Sequence, residues 1–293
     1  MTTMLDPTRA MKSLEDGTID AIKAYFPLEG REHTLDVSRV YAGDDVDIDD
    51  IESQKKARMR NRTWATNLYG DFTLRDKQTG KVLDKADGVR LASVPKLTRR
   101  YSFIVDGKEY QVDNQWRLKS GIFTRQRQNG ELEAQVNLEK GRGFRLDFYP
   151  EKRQFVMRYG STNVALVPVL KTLGVPENDM RSAWGTQLYE TLASQKDRGD
   201  LVKLAKALDS RFVGGEAEAA DTIRKQYAES KLRPDTTAST IGAPFSKIEG
   251  KALLATSEKL LAISRGTAEP DNRDSLRYKE LWTVQDLVPE RIR

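Results

Sequence analysis

The chain has 293 residues, enough for two domains of ordinary size, and 32% of them are charged against 38% hydrophobic. This balance is typical of a folded protein with a heavily charged surface and argues against a disordered chain. The absence of cysteine excludes disulfides and thiolate chemistry, and a single histidine, His33, argues against histidine metal sites and a Ser-His triad. The net charge of +5 permits nucleic-acid binding.

Membrane insertion is not expected. The longest apolar run, residues 164–170, is far shorter than a spanning helix and is interrupted by Pro168. The N-terminus has no apolar signal-peptide core. These features predict a cytoplasmic protein without a membrane partner.

The N-terminal region predicts a helix followed by two charged stretches. Apolar residues at helical spacing predict a helix over residues 8–26, closed by Pro27. Six acids between Asp44 and Glu52 predict a solvated acidic loop or a helix start, because their spacing does not fit an EF-hand. The basic run over residues 55–62 either is neutralised by these acids or contacts nucleic acid.

Residues 64–159 predict strands separated by turns. The strongest signal is Asp106-Gly107 between two short β-type runs, since a tight hairpin turn needs φ > 0 at both central positions. Further turns are predicted at residues 78–80, 87–88, 129–130 and 150–152. Residues 164–175 predict a helix start after these strands.

From residue 178 the pattern becomes helical. Apolar stripes predict helices over residues 201–212 and 222–232, the second ended by Pro234. A third helix is predicted over residues 250–264, with Gly266 as its stop. Residues 233–245 are rich in proline and threonine and predict a long loop.

The segment from Val94 to Phe123 contains twelve residues whose order and spacing are too particular to be generic: Pro95, Leu97, Thr98, Arg100, Phe103, Ile104, Gly107, Glu109, Val112, Gln115, Gly121 and Phe123. In these residues, without a gap, the segment resembles a stretch of the second-largest, or β, subunit of multisubunit DNA-dependent RNA polymerases. Tyr101 stands where the family has glycine. Residues 76–80 and 164–175 resemble flanking family segments, and Asp271, Asp274 and Lys279 match a charged motif whose alternative reading is an ordinary charged loop.

The resemblance implies an α+β fold with a mixed strand and helix protrusion domain and an inserted lobe domain of β-hairpins followed by helices. It places the protrusion-like domain at residues 1–114, the lobe-like domain at 115–268 and a return segment to the protrusion at 269–293. It also implies that the metal-binding aspartates and catalytic lysines belong to other parts of the polymerase. The chain stops at Arg293, so we expect it to be inactive alone.

The predicted role is a non-catalytic, N-terminal β-subunit component that forms one wall of the DNA cleft. The expected partners are the remaining C-terminal β piece, the β′ subunit and DNA, with Mg²⁺ bound by another subunit and no cofactor in this chain. The resemblance associates such split subunits with large bacteriophages, which implies the host cytoplasm or the virion. The alternative is a free-standing nucleic-acid-binding or regulatory module that retains the polymerase-like fold.

Candidate DNA contacts follow from local charge. Residues 94–159 contain 14 Lys and Arg against 8 Asp and Glu, a local net charge of +6. Such a surface positions DNA through its phosphates without reading bases. The candidates are Arg99, Arg100, Arg117, Lys119, Arg125 and Arg127, with Arg273, Arg277 and Lys279 from the charged motif; for each, the alternative is solvated surface.

Overall fold

The computed structural model describes residues 6–43, 47–139, 141–194 and 200–292. Asp44, Asp45 and Lys140, which enter the predicted acidic stretch and the local charge, lie outside this range. The chain divides into two compact units: unit 1 comprises residues 1–116 and 281–293, and unit 2 comprises residues 117–280. Helices and antiparallel sheets occur together, which confirms the predicted α+β class.

The N-terminal part of unit 1 is a four-stranded antiparallel sheet with two helices and a hairpin. Its sheet order is β1-β2-β3-β4. Met11 and Leu14 of the first helix pack with Leu68, Leu97 and Phe103 to form the core. The elements are α1 (Pro7–Lys23), β1 (Leu28–Glu29), β2 (His33–Ala42), α2 (Ile51–Met59), β3 (Ala65–Asp76), β4 (Val82–Pro95), β5 (Ser102–Val105) and β6 (Lys108–Gln111), and β7 (Gln115–Leu118) then leads into unit 2.

Unit 2 is a five-stranded antiparallel sheet with a layer of helices. Along the register Ala134, Leu146, Met157 and Val164 lie side by side, so one sheet face is apolar and buried against the helices. The strands are β8 (Gly121–Gln126), β9 (Leu132–Asn137), β10 (Phe144–Tyr149), β11 (Gln154–Tyr159) and β12 (Thr162–Ala165). The helices are α3 (Leu166–Thr172), α4 (Glu177–Trp184), α5 (Thr186–Ala193), α6 (Asp200–Leu208), α7 (Glu216–Ala228), α8 (Pro234–Ile241) and α9 (Gly250–Ser264).

The chain returns to unit 1 through β13 (Lys279–Trp282) and ends in α10 (Val284–Ile292), which packs on α1. The second crossing between units lies at residues 280/281, whereas the sequence places the return segment from residue 269. Residues 271–280 belong to unit 2 because Asp271 hydrogen-bonds Thr124 and pairs with Lys259. Assigning the units as protrusion and lobe stays a prediction.

Two predicted turns or loops are wrong in detail. Gly88 does not end a strand but lies at a bulge inside β4, where its N–H donates to the Asp71 carboxylate at 2.8 Å. Residues 233–245 contain α8 instead of a long loop. Proline can begin a helix because an N–H in the first turn would have no acceptor within the helix, so its absence costs nothing. Pro234 begins α8 in this way, and Gly242 ends the helix at φ 82°. The preceding helix, α7, spans Glu216–Ala228, so it begins and ends earlier than the predicted residues 222–232.

The predicted hairpin at Asp106-Gly107 is confirmed, with β5 and β6 in register from Ser102↔Gln111 to Val105↔Lys108. Asp106 has φ 48° and Gly107 has φ 77°, as the turn requires. Two hydrogen bonds join this turn to the loop before β3. The Asp106 N–H donates to Thr63 Oγ1, and the Gly107 N–H donates to the Arg62 carbonyl. The hairpin tip is therefore packed against backbone.

Alanine at Gly107 is expected to lower the free energy of unfolding of unit 1 by about 2–3 kcal/mol. Besides the positive φ, the new Cβ would lie 2.8 Å from Asn61 Cα and 2.9 Å from the Arg58 carbonyl oxygen. The matched control is Gly80→Ala, with φ 68° and no atom within 4 Å of the new Cβ, which should cost about 1 kcal/mol. Urea unfolding compares them, and equal losses would contradict the packing argument.

Candidate nucleic-acid interface

Arg99 and Arg100, the two candidates in unit 1, are both held in ion pairs. Arg99 pairs with Asp49, and Arg100 Nη2 lies 2.8 Å from a carboxylate oxygen of Glu109. Glu109 also accepts a hydrogen bond from the Ser102 hydroxyl and lies 3.7 Å from Arg58. The Ser102 hydrogen bond, then the cations Arg100 and Arg58, lower the pKa of Glu109 although burial opposes them. Both arginines remain exposed but partly neutralised.

The other seven candidates lie in unit 2, where Arg125 and Arg127 face a buried carboxylate. Their guanidinium groups both hydrogen-bond Glu133, whose side chain is 0% exposed. Arg127 Nη1 also donates to Glu131 at 2.9 Å. These two arginines therefore serve first as counter-ions of the sheet, which reduces the charge that they offer to DNA.

The Arg125 and Arg127 pairs belong to a larger network on the polar face of the sheet. Asp147 of β10 is 1% exposed and pairs with Arg158 at 2.9 Å, while Arg145 lies 3.8 Å from Glu133. Burial raises the pKa of Asp147 although Arg158 and Arg127 oppose it, and its Oδ1 has no hydrogen-bond donor among the described residues. Arginines and carboxylates are nearly balanced in this network, which lowers the net charge that it offers to DNA.

The other five candidates differ in their contacts and in their exposure. Lys119 Nζ donates to the Arg277 carbonyl at 3.0 Å, and Arg273 Nη1 donates to Gln135 Oε1 at 2.7 Å. Lys279 Nζ lies 3.6 Å from Asp274, the Arg277 side chain is exposed, and Arg117 is half-buried in β7. DNA contact by any of the nine candidates stays a prediction.

Asp271 of the predicted charged motif has a clear structural role. It accepts hydrogen bonds from the backbone N–H and hydroxyl of Thr124, each at 2.7 Å, and from Lys259 Nζ at 2.7 Å. It thus ties the segment after α9 to strand β8. Sequence reasoning singled out Asp271 and Glu109 by resemblance but gave no role to Glu133 and Asp147. Each of these two is the one acid of its strand, β9 or β10, and that was the available signal.

The described residues contain no group of three or more His, Asp or Glu side chains arranged to hold a metal ion. Among the same residues, no helix combines the length and apolar character needed to cross a membrane. The expected Mg²⁺ site on another subunit stays a prediction.

No family model matches the chain. Curated relatives named DNA-directed RNA polymerase subunit beta nevertheless match it, several of them along nearly its whole length. The protein of Gloeobacter violaceus is 23% identical over 307 residues, and that of Prochlorococcus marinus is 26% identical over 313 residues; each alignment covers 96% of this chain. The Trichormus variabilis protein is 23% identical with the same coverage. The chain is similar to one region of a polymerase β subunit. It spans about a quarter of the length of these relatives, 26% for the Gloeobacter protein.

Proposed function

We propose that the chain is a non-catalytic, N-terminal component of the β subunit of a multisubunit DNA-dependent RNA polymerase, where it forms one wall of the DNA cleft. The observation that carries this proposal is the similarity to β subunits along 96% of the chain. Such coverage includes both units and the hairpin segment on which the resemblance is densest. A shared single motif would not extend over two units.

The layout of the fold supports the same proposal. Unit 1 is built from both ends of the chain, and unit 2 is inserted between them. The resemblance implies this arrangement for a protrusion with an inserted lobe, so we assign unit 1 as the protrusion and unit 2 as the lobe. Mg²⁺ and the catalytic groups would come from partners, namely the β′ subunit and the rest of β. We further propose that this chain is one piece of a split β subunit of a large-bacteriophage polymerase, and that it acts in the host cytoplasm or is carried in the virion.

An omit-one reconstitution tests this function. The chain is co-expressed with the polymerase subunits encoded in the same genome, and DNA-dependent RNA synthesis is measured with and without it. We expect the chain to be inert alone, to co-purify with those subunits in equal amounts and to be required for transcription. Full transcription by an assembly that neither contains nor binds the chain would overturn the proposal.

A further inference from the structure

Helix α2 and the loop after it carry the densest positive charge in unit 1. Residues 55–62 contain five Lys and Arg and no acid. Four of them, Lys55, Lys56, Arg60 and Arg62, are named here the α2 basic surface. All four are exposed.

The orientation of α2 places this surface toward solvent. Ala57 is buried and packs with Trp64 and Ile104. Successive residues of an α-helix are rotated by about 100°, so the side opposite Ala57 carries Lys55 and Met59, with Lys56 beside them. Met59 is 76% exposed, which agrees with this geometry.

The neighbouring acids have other partners. Asp49 pairs with Arg99, and the Asp50 side chain accepts the Ser53 N–H at 2.9 Å as the N-cap of α2. Glu109 forms ion pairs with Arg100 and with Arg58, and Arg58 is the member of the basic run that is left out of the α2 basic surface. Within the described part of the chain, no side chain of the α2 basic surface makes a hydrogen bond or ion pair, although the charge of Lys56 adds to the lowering of the Asp50 pKa by Ser53.

The backbone that carries the surface is fixed. The Arg62 N–H donates to the Ala57 carbonyl at 2.8 Å, and the Arg62 carbonyl accepts the Gly107 N–H of the hairpin turn at 3.1 Å. The cations are therefore presented from an ordered backbone. Binding then has to order the side chains only, so its entropic cost is limited to them.

We propose that the α2 basic surface binds the phosphate backbone of duplex DNA. This inference rests on the proposed function and supplies the contact that the paired candidates Arg99 and Arg100 provide less well. Duplex DNA carries a dense row of phosphates that complements four unpaired cations. Binding of single strands usually adds aromatic stacking, and residues 51–62 contain no aromatic side chain.

The test uses the full chain and a fluorescently labelled 20-base-pair duplex, with binding followed by anisotropy from 50 to 300 mM salt. The test variant carries K55Q, K56Q, R60Q and R62Q. The control carries K206Q, K225Q, K251Q and R265Q, which remove the same charge from exposed positions of unit 2. Two half variants, K55Q/K56Q and R60Q/R62Q, guard against a folding defect in the fourfold change.

Loss of four phosphate contacts should weaken duplex binding at least about tenfold and reduce the slope of log K against log salt by about 3–4. Each half variant should show about half of that reduction in slope, and the control should keep the wild-type slope. Equal binding by the test and control variants, no duplex binding by the wild-type chain, or tighter binding of single-stranded RNA than of duplex would overturn the inference.

This result is separable from the reconstitution. The chain could fail to join a polymerase while the test variant, but not the control, loses duplex binding. The α2 basic surface would then still be a DNA-binding site, and a free-standing DNA-binding function would replace the proposed one. If the test variant fails to assemble while its duplex binding is unchanged, the surface contacts a protein subunit and the inference is wrong.

Discussion

Replacing Glu133 with glutamine is expected to lower the free energy of unfolding of unit 2 by about 3 kcal/mol at pH 7. Glu133 is fully buried in β9 and accepts hydrogen bonds from Arg125 and Arg127. An amide removes the common counter-ion of those two guanidinium groups and turns an NH₂ donor toward one of them. Urea unfolding followed by hydrogen exchange of β8–β10 measures the loss.

The cost of the Glu133 substitution should depend on pH. Burial disfavours the charge of Glu133, but the hydrogen bonds from Arg125 and Arg127 outweigh it and lower its folded pKa. A carboxylate with a lowered folded pKa stabilises the fold above its unfolded pKa, and this contribution is lost as pH falls through the folded pKa. The difference between wild type and E133Q should therefore be full at neutral pH and shrink below the ordinary pKa of glutamate.

Two neighbouring carboxylates serve as controls. Glu131 makes a single, partly exposed pair with Arg127, so E131Q should cost no more than about 1 kcal/mol. The pKa of Asp147 is raised, chiefly by burial, which means that its charge reduces stability at neutral pH. D147N should cost less than E133Q, and its difference from wild type should change with pH in the opposite direction. Equal, pH-independent losses for E133Q and D147N would contradict the network.

Asp271→Asn is expected to destabilise unit 2 by a similar amount, about 3 kcal/mol, because it breaks a largely buried ion pair. One carboxylate oxygen accepts both Thr124 donors, and the other accepts Lys259 Nζ. An amide satisfies only one of these two groups, since its NH₂ must face the other set of donors. Hydrogen exchange should rise in β8 and in residues 269–280.

The matched control for the Asp271 substitution is Asp274→Asn. Asp274 belongs to the same motif but is 84% exposed and lies 3.6 Å from Lys279, so its loss should cost under about 1 kcal/mol. Equal effects at both positions would show that Asp271 does not anchor the segment.

Local patterns in the sequence predicted much of the fold. The Asp-Gly hairpin, the paired strands β8–β11 and helix α9 followed from turn chemistry and apolar periodicity, which act over a few residues. The bulge at Gly88 and the start of α8 at Pro234 did not, because the same residue types also end strands and helices. Tyr101 is a further case: it adopts φ 57° at the position where the resembled family has glycine, and its surroundings decide that conformation.

The candidate interface was predictable only in part. Counting charges along residues 94–159 selected Arg125 and Arg127, but it could not reveal that both pair with a buried glutamate across the sheet. Conversely, the sequence left open whether the basic run over residues 55–62 is neutralised by the acids before it or contacts nucleic acid. Two of those acids, Asp49 and Asp50, bind Arg99 and the Ser53 N–H. Ion pairing depends on tertiary geometry, which local charge does not encode.

The most direct measurement of the central claim is purification of the tagged chain from the cells in which it is naturally made, followed by native mass spectrometry. The account predicts one copy of the chain in a complex with the rest of β and with a β′-type subunit that supplies the metal-binding aspartates. Recovery of the chain alone, beside an active polymerase that lacks it, would contradict the account.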